Sequence, residues 1–153
     1  IGWTLAVYSV AASVGVLVSG ALEHRLGRIR LTVGTMLLAM PVLLATLALA
    51  PGSLAYYVAV AVGGMLTNAA IPLLLVSAQD LAPNAVATAS GMLMGFTWGI
   101  AGVLYIGFGA LQQGVGLVPA LATSFTFLIP AAVLAWFVLH RHREALSAPE
   151  SAR

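Results

Sequence analysis

Gly20-Ala-Leu-Glu-His-Arg-Leu-Gly-Arg-Ile-Arg30 carries four of the chain's ten formally charged side chains, six Lys+Arg and four Asp+Glu in all. The flanking stretches, 3–22 and 31–50, contain Asp, Glu, Lys or Arg nowhere. A membrane-spanning helix needs about 20 mostly apolar residues, and both flanks meet that length. Charge concentrated between two uncharged runs of this size predicts a short polar turn between two membrane helices.

Three further runs of the same kind follow, at 54–78, 88–111 and 117–139. The composition agrees: 61% of the 153 residues are hydrophobic and 7% charged, where a soluble domain has about 25% charged. A chain so poor in charge cannot solvate a water-facing surface. Strands are excluded because a transmembrane strand alternates apolar with polar residues, and these runs are apolar on every face. In hydrocarbon the backbone must satisfy its own hydrogen bonds, which leaves helices. The expected fold is an all-α integral membrane bundle of five spans over residues 1–139, followed by a polar tail, 140–153. Ile1 is not a Met and lies within an apolar run without a basic segment before it. The chain is therefore expected to be the downstream part of a longer protein.

Five spans place Glu23–Arg30, Gln79–Ala87 and the tail on one side. All six arginines (25, 28, 30, 141, 143, 153) and all four carboxylates (Glu23, Asp80, Glu144, Glu150) fall there. The opposite loops, Pro51–Ser53 and Gln112–Gly116, are uncharged. Arginine excess marks the cytoplasm, so the C-terminus is expected inside, at a plasma membrane. Trp3, Tyr56 and Tyr57 at predicted outer ends, and Trp136 near an inner end, suit interfacial belts. With the basic residues confined to these loops there is no footprint for nucleic acid.

Inside the spans, Pro41, Pro72 and Pro130 predict kinks. Gly91, Gly95 and Gly99 recur every four residues, a stripe suited to close helix packing. Ser13, Ser19 and Ser77 have no buried base, which argues against an enzyme. Without cysteine, and with His24, His140 and His142 all at predicted loop edges, neither a metal site nor a cofactor is expected. Neutral polarity remains: Tyr8, Thr67, Asn68, Thr97, Trp98 and Tyr105. Asn68 requires a partner in lipid, either another helix or a ligand. Trp98 and Tyr105 are seven apart and share a helix face.

The 20–30 segment resembles the G-x-L-a-D-R-x-G-R signature of the major facilitator superfamily, through Gly20, Leu22, Arg25, Gly27 and Arg28. The usual Asp is His24 here, with Glu23 one place earlier. Gln79-Asp-Leu-Ala-Pro-Asn-Ala-Val-Ala-Thr-Ala-Ser-Gly91 is similar to the loop between helices ten and eleven of the same superfamily. Gln79, Asp80, Pro83, Ala89, Ser90 and Gly91 most resemble the fosmidomycin-resistance-type permeases, although a basic residue usual near Ala85 is absent.

The resemblance implies a major-facilitator-type bundle in which the five spans are helices eight to twelve, partnered by N-terminal helices upstream of Ile1. It implies a bacterial inner-membrane secondary transporter, exporting a small molecule or drug by alternating access with proton antiport. Uptake of a metabolite on the same fold, or a non-transporting scaffold or sensor, are the alternatives. Implied site residues are Tyr8, Asn68, Trp98 and Tyr105 along the substrate path. Gly20, Glu23, Arg25, Gly27, Arg28 and Asp80 are implied at a cytoplasmic gate, where a carboxylate faces the helix start near Asn84–Ser90 and Arg25, Arg28 and Asp80 form a latch.

Overall fold

The computed structural model describes residues 2–142. Arg143, Glu144, Glu150, Arg153 and the rest of the predicted tail beyond His142 lie outside the described residues. The elements are α1 (Gly2–Leu26), α2 (Arg28–Ala48), α3 (Leu54–Leu81), α4 (Val86–Val115), α5 (Leu117–Thr126) and α6 (Leu128–Arg141), with a 3-10 turn at Pro83–Ala85 before α4. Among the described residues they make five segments long and apolar enough to cross a membrane, and there is no strand.

The helices run past the apolar limits and absorb most of the expected loops. Glu23 and Arg25 belong to α1, Gln79 and Asp80 to α3, and Gln112 to α4. A helix end beyond the hydrocarbon loses nothing by carrying polar side chains, so two of the reversals contract to single residues. Gly27 makes the first one, at φ 78°, ψ 142°. Gly116 makes the last, at φ 92°, ψ 168°. Side chains with a Cβ are strained in this region, which belongs to glycine. The α2–α3 turn ends on Ser53, whose hydroxyl accepts from the Tyr56 amide at 3.1 Å, a cap that starts α3.

The kinks divide unequally. Pro41 and Pro72 sit inside unbroken helices. The last predicted span, 117–139, is instead broken at Phe127 into α5 and α6. Pro130 lacks the amide that Thr126 would receive, and its ring crowds that carbonyl. The chain answers with a tight turn, in which the Phe127 amide donates to the Ser124 carbonyl at 3.2 Å.

α3 packs along α1 and α2, and α2 along α6. Small residues allow this: Ala39, Ala69, Ala70 and Ala132 are buried, and Met36, Ala70 and Ala132 form a cluster. Two glycines set the closest approach. A Cβ on Gly15 would lie 2.2 Å from the Met65 carbonyl oxygen, and one on Gly64 would lie 2.9 Å from the Tyr8 carbonyl oxygen. α4 touches α3 and α5 only lightly, and none of its residues is buried. Phe96, Ile106 and many other large apolar side chains are exposed.

One core position runs against this economy. Thr32 is fully buried and its hydroxyl has no hydrogen-bond partner among the described residues. An unpaired buried hydroxyl is a net cost, and valine has nearly its shape. Thr32→Val is expected to stabilise the fold by about 1 kcal/mol, seen as a higher melting temperature in detergent. A lower melting temperature would show that the hydroxyl has a partner after all.

Candidate functional site

Two polar constellations stand out, one at the Arg28 end of the bundle and one midway along α3. At the Arg28 end the reversal at Gly27 turns Glu23 and Arg28 toward each other. Arg28 Nε donates to Glu23 Oε1 at 2.5 Å, and Nη1 donates to Asp80 Oδ2 at 2.6 Å. The three side chains are between 21% and 25% exposed, so water reaches them only in part. One guanidinium thereby joins the ends of α1, α2 and α3. Beside it, Gln79 Nε2 donates to Ser90 Oγ at 2.8 Å, tying the end of α3 to the first turns of α4.

The expected latch is thus rearranged. Arg28 and Asp80 meet, but the third member is Glu23, while Arg25 is exposed. Both carboxylates hold Arg28, and Gln79 with Ser90 supplies a contact from α3 to the start of α4. Of the glycines expected there, Gly27 supplies the reversal, whereas a Cβ on Gly20 would meet nothing within 4 Å.

Midway along α3, Asn68 Nδ2 donates to the Tyr8 hydroxyl at 3.1 Å and to the Gly64 carbonyl at 2.9 Å. Thr67 Oγ1 lies 3.4 Å from the Tyr8 oxygen. The Asn68 amide is therefore engaged in a bond between α1 and α3, held close by Gly64. Tyr8 also borders a hollow of about 740 Å³ between α1, α2, α3 and α5, with Leu43, Leu47, Val60, Leu121 and Phe125 on its walls. Drug-sized ligands occupy sites of roughly 300–1,000 Å³.

Trp98 and Tyr105 do not join this site. They are 76% and 80% exposed on the open face of α4. Tyr105 borders a smaller, adjoining hollow of about 230 Å³ with Phe108 and Gln112, which shares Leu121 and Ser124 with the large one. Gly91, Gly95 and Gly99 likewise meet no atom within 4 Å, so within this chain the close helix approach belongs to Gly15 and Gly64. Sequence reasoning passed over Thr46 and Ser124, which line the large hollow. Each is one of three hydroxyl residues in its apolar span (Thr32, Thr35 and Thr46; Thr123, Ser124 and Thr126), so neither stood out in the sequence.

No protein-family model matches the chain, and no solved structure does. The chain is similar to YfnC of Bacillus subtilis (strain 168), described as an uncharacterized MFS-type transporter, with 28% identity over 132 residues. That match covers 86% of this chain and 32% of the relative, so the chain spans about a third of the relative's length. The described residues form an all-helical bundle with five segments able to cross a membrane, and this similarity supports a bundle of the major-facilitator type.

Proposed function

We propose that the chain forms helices eight to twelve of a secondary active transporter of the fosmidomycin-resistance-like group. In this reading it exports a small molecule by proton antiport as two helical bundles rock about a midplane site. The observation that carries the reading is the Arg28 clasp. The segment that resembles the superfamily signature is also the one whose side chains join three helix ends. A joint that can be made or broken at one end of a bundle is what alternating access requires. The Arg28 end is then cytoplasmic, in keeping with its arginines. Trp98, Tyr105 and the Gly91–Gly95–Gly99 stripe would face the rest of the transporter, which is why α4 is open here.

Growth and proton flux test the export reading in the intact protein. Its expression is expected to raise the fosmidomycin concentration that stops growth. Adding the drug to everted vesicles should then dissipate an established pH gradient. Unchanged susceptibility together with an undisturbed gradient would overturn it. Sidedness is checked separately: with any cysteine outside this cysteine-free chain replaced, Arg25→Cys should label in everted vesicles and not in whole cells.

A further inference from the structure

The large hollow has a uniform chemistry. The polar side chains that line it among the described residues are all hydroxyl-bearing: Thr4, Tyr8, Thr46, Tyr56, Thr67 and Ser124. Everything else on its wall is apolar, with neither a charge nor an amide. From Tyr56 to Thr67 it follows α3 for eleven residues, about 16 Å of helix rise. It therefore extends from beside the Pro51 turn to the middle of the bundle.

The hydroxyls are not equivalent. Thr46 donates to the Leu43 carbonyl at 2.6 Å, Thr67 to the Gly63 carbonyl at 2.6 Å and Ser124 to the Ala120 carbonyl at 3.0 Å. Their protons are engaged by the helix backbone, and what they can offer a ligand is an oxygen acceptor. Tyr8 is the converse. Its oxygen already accepts from Asn68, and the nearest acceptor for its proton, Thr67 Oγ1, is 3.4 Å away, long for such a bond. The wall thus offers acceptors on α2, α3 and α5 and a donor on α1. A hydroxyl group, which donates and accepts together, is the complement. A charged group would find no counter-ion there, and burying one unpaired in an apolar site is costly.

We propose that this hollow binds a neutral, mostly hydrocarbon molecule bearing a hydroxyl group, at a site separate from the open face of α4. The site stands or falls independently of the transport reading. Two sources share this chemistry: a neutral membrane lipid such as diacylglycerol, and a free alcohol or phenol taken from solution.

The test uses the intact protein in phosphatidylcholine nanodiscs and a long-chain alcohol carrying a photoreactive diazirine on its tail. Saturable labelling is expected on peptides of α2 or α5. Diacylglycerol competing alone would assign the site to lipid, and a water-soluble alkylphenol competing alone would assign it to a free solute. Both outcomes support the proposal. The matched fatty acid and the matched trimethylammonium amphiphile should compete at least tenfold more weakly. Thr46→Val with Ser124→Ala, two near-isosteric changes, should weaken labelling severalfold at an unchanged melting temperature. Equal competition by either charged amphiphile would overturn the proposal, as would labelling indifferent to the double variant. So would an absence of saturable labelling, the result expected if another helix of the intact protein fills the hollow.

Discussion

Gly15→Val is expected to be the most damaging single substitution in the α1–α3 pair. Its Cβ would lie 2.2 Å from the Met65 carbonyl oxygen and 2.8 Å from the Met65 carbonyl carbon and Cα. These are backbone atoms of a helix, so no side-chain rotation relieves the clash. α1 and α3 would have to part by roughly an ångström, since inserted atoms in a packed interface displace whatever cannot move. The consequences extend beyond one contact. The Asn68 bond to Tyr8 is 3.1 Å long and crosses the same interface, and the Tyr8 backbone lies against Gly64 two turns away. Overpacking usually costs about 1–3 kcal/mol, and loss of the polar bond brings the expected total to about 3 kcal/mol. Thermal unfolding in detergent measures it. Gly34→Ala supplies the control, because its Cβ meets open space and gains helix propensity. If the two variants melted alike, the close crossing would not exist.

That crossing also marks where the sequence stopped being informative. Span number was legible because charge is scarce: a run of 20 residues without Asp, Glu, Lys or Arg leaves little choice in lipid. The position of the first reversal was legible in Glu23–Arg30, although its tightness was not, since nothing in the composition says that one glycine suffices. Packing was the least legible. Gly91, Gly95 and Gly99 look like an interface because they are periodic, whereas Gly15 and Gly64 are lone glycines in apolar runs. Periodicity shows which residues share a face but not what that face meets. The break at Phe127 was legible only as a kink near Pro130.

The same limit applies to function. Tyr8 and Asn68 were legible as polar atoms needing partners, and each supplies the other's. Thr46 and Ser124 were not, because a hydroxyl bonded to its own helix adds little polarity to a run. They border one hollow with Tyr8 only once the helices have assembled. The hollow is a product of tertiary structure, with no local signature to find.

Arg28→Ala is expected to have the second large effect, for a reason that lies in where the three charges stand. Arg28 is the first residue of α2, while Glu23 and Asp80 occupy the last turns of α1 and α3. Each is at the wrong end of its own helix: a cation at a positive N-terminus, anions at negative C-termini. In the folded bundle the three ends meet, and the signs reverse. Arg28 then lies beside two helix C-termini, and both carboxylates lie beside the start of α2. The Asp80 share of the stabilisation exists only while the end of α3 meets the other two, which is the property a latch needs. Removing the guanidinium takes away the cation that both carboxylates share at two helix C-termini. Charge-assisted hydrogen bonds contribute about 1.5–3 kcal/mol, and with these side chains near a quarter exposed the expected loss is about 2 kcal/mol. Glu23→Gln and Asp80→Asn should each cost less, because one ion pair survives. Arg28→Lys should rescue only in part, since an ammonium cannot present separate Nε and Nη1 donors to two acids. The proposed latch has its own readout in Ser77, buried one turn before Asp80. As the sole reactive thiol, Ser77→Cys should resist a water-soluble maleimide with Arg28 present and react once Arg28→Ala is added. If the thiol stayed protected in Arg28→Ala, the triad would be holding charges in place without holding the helix ends together.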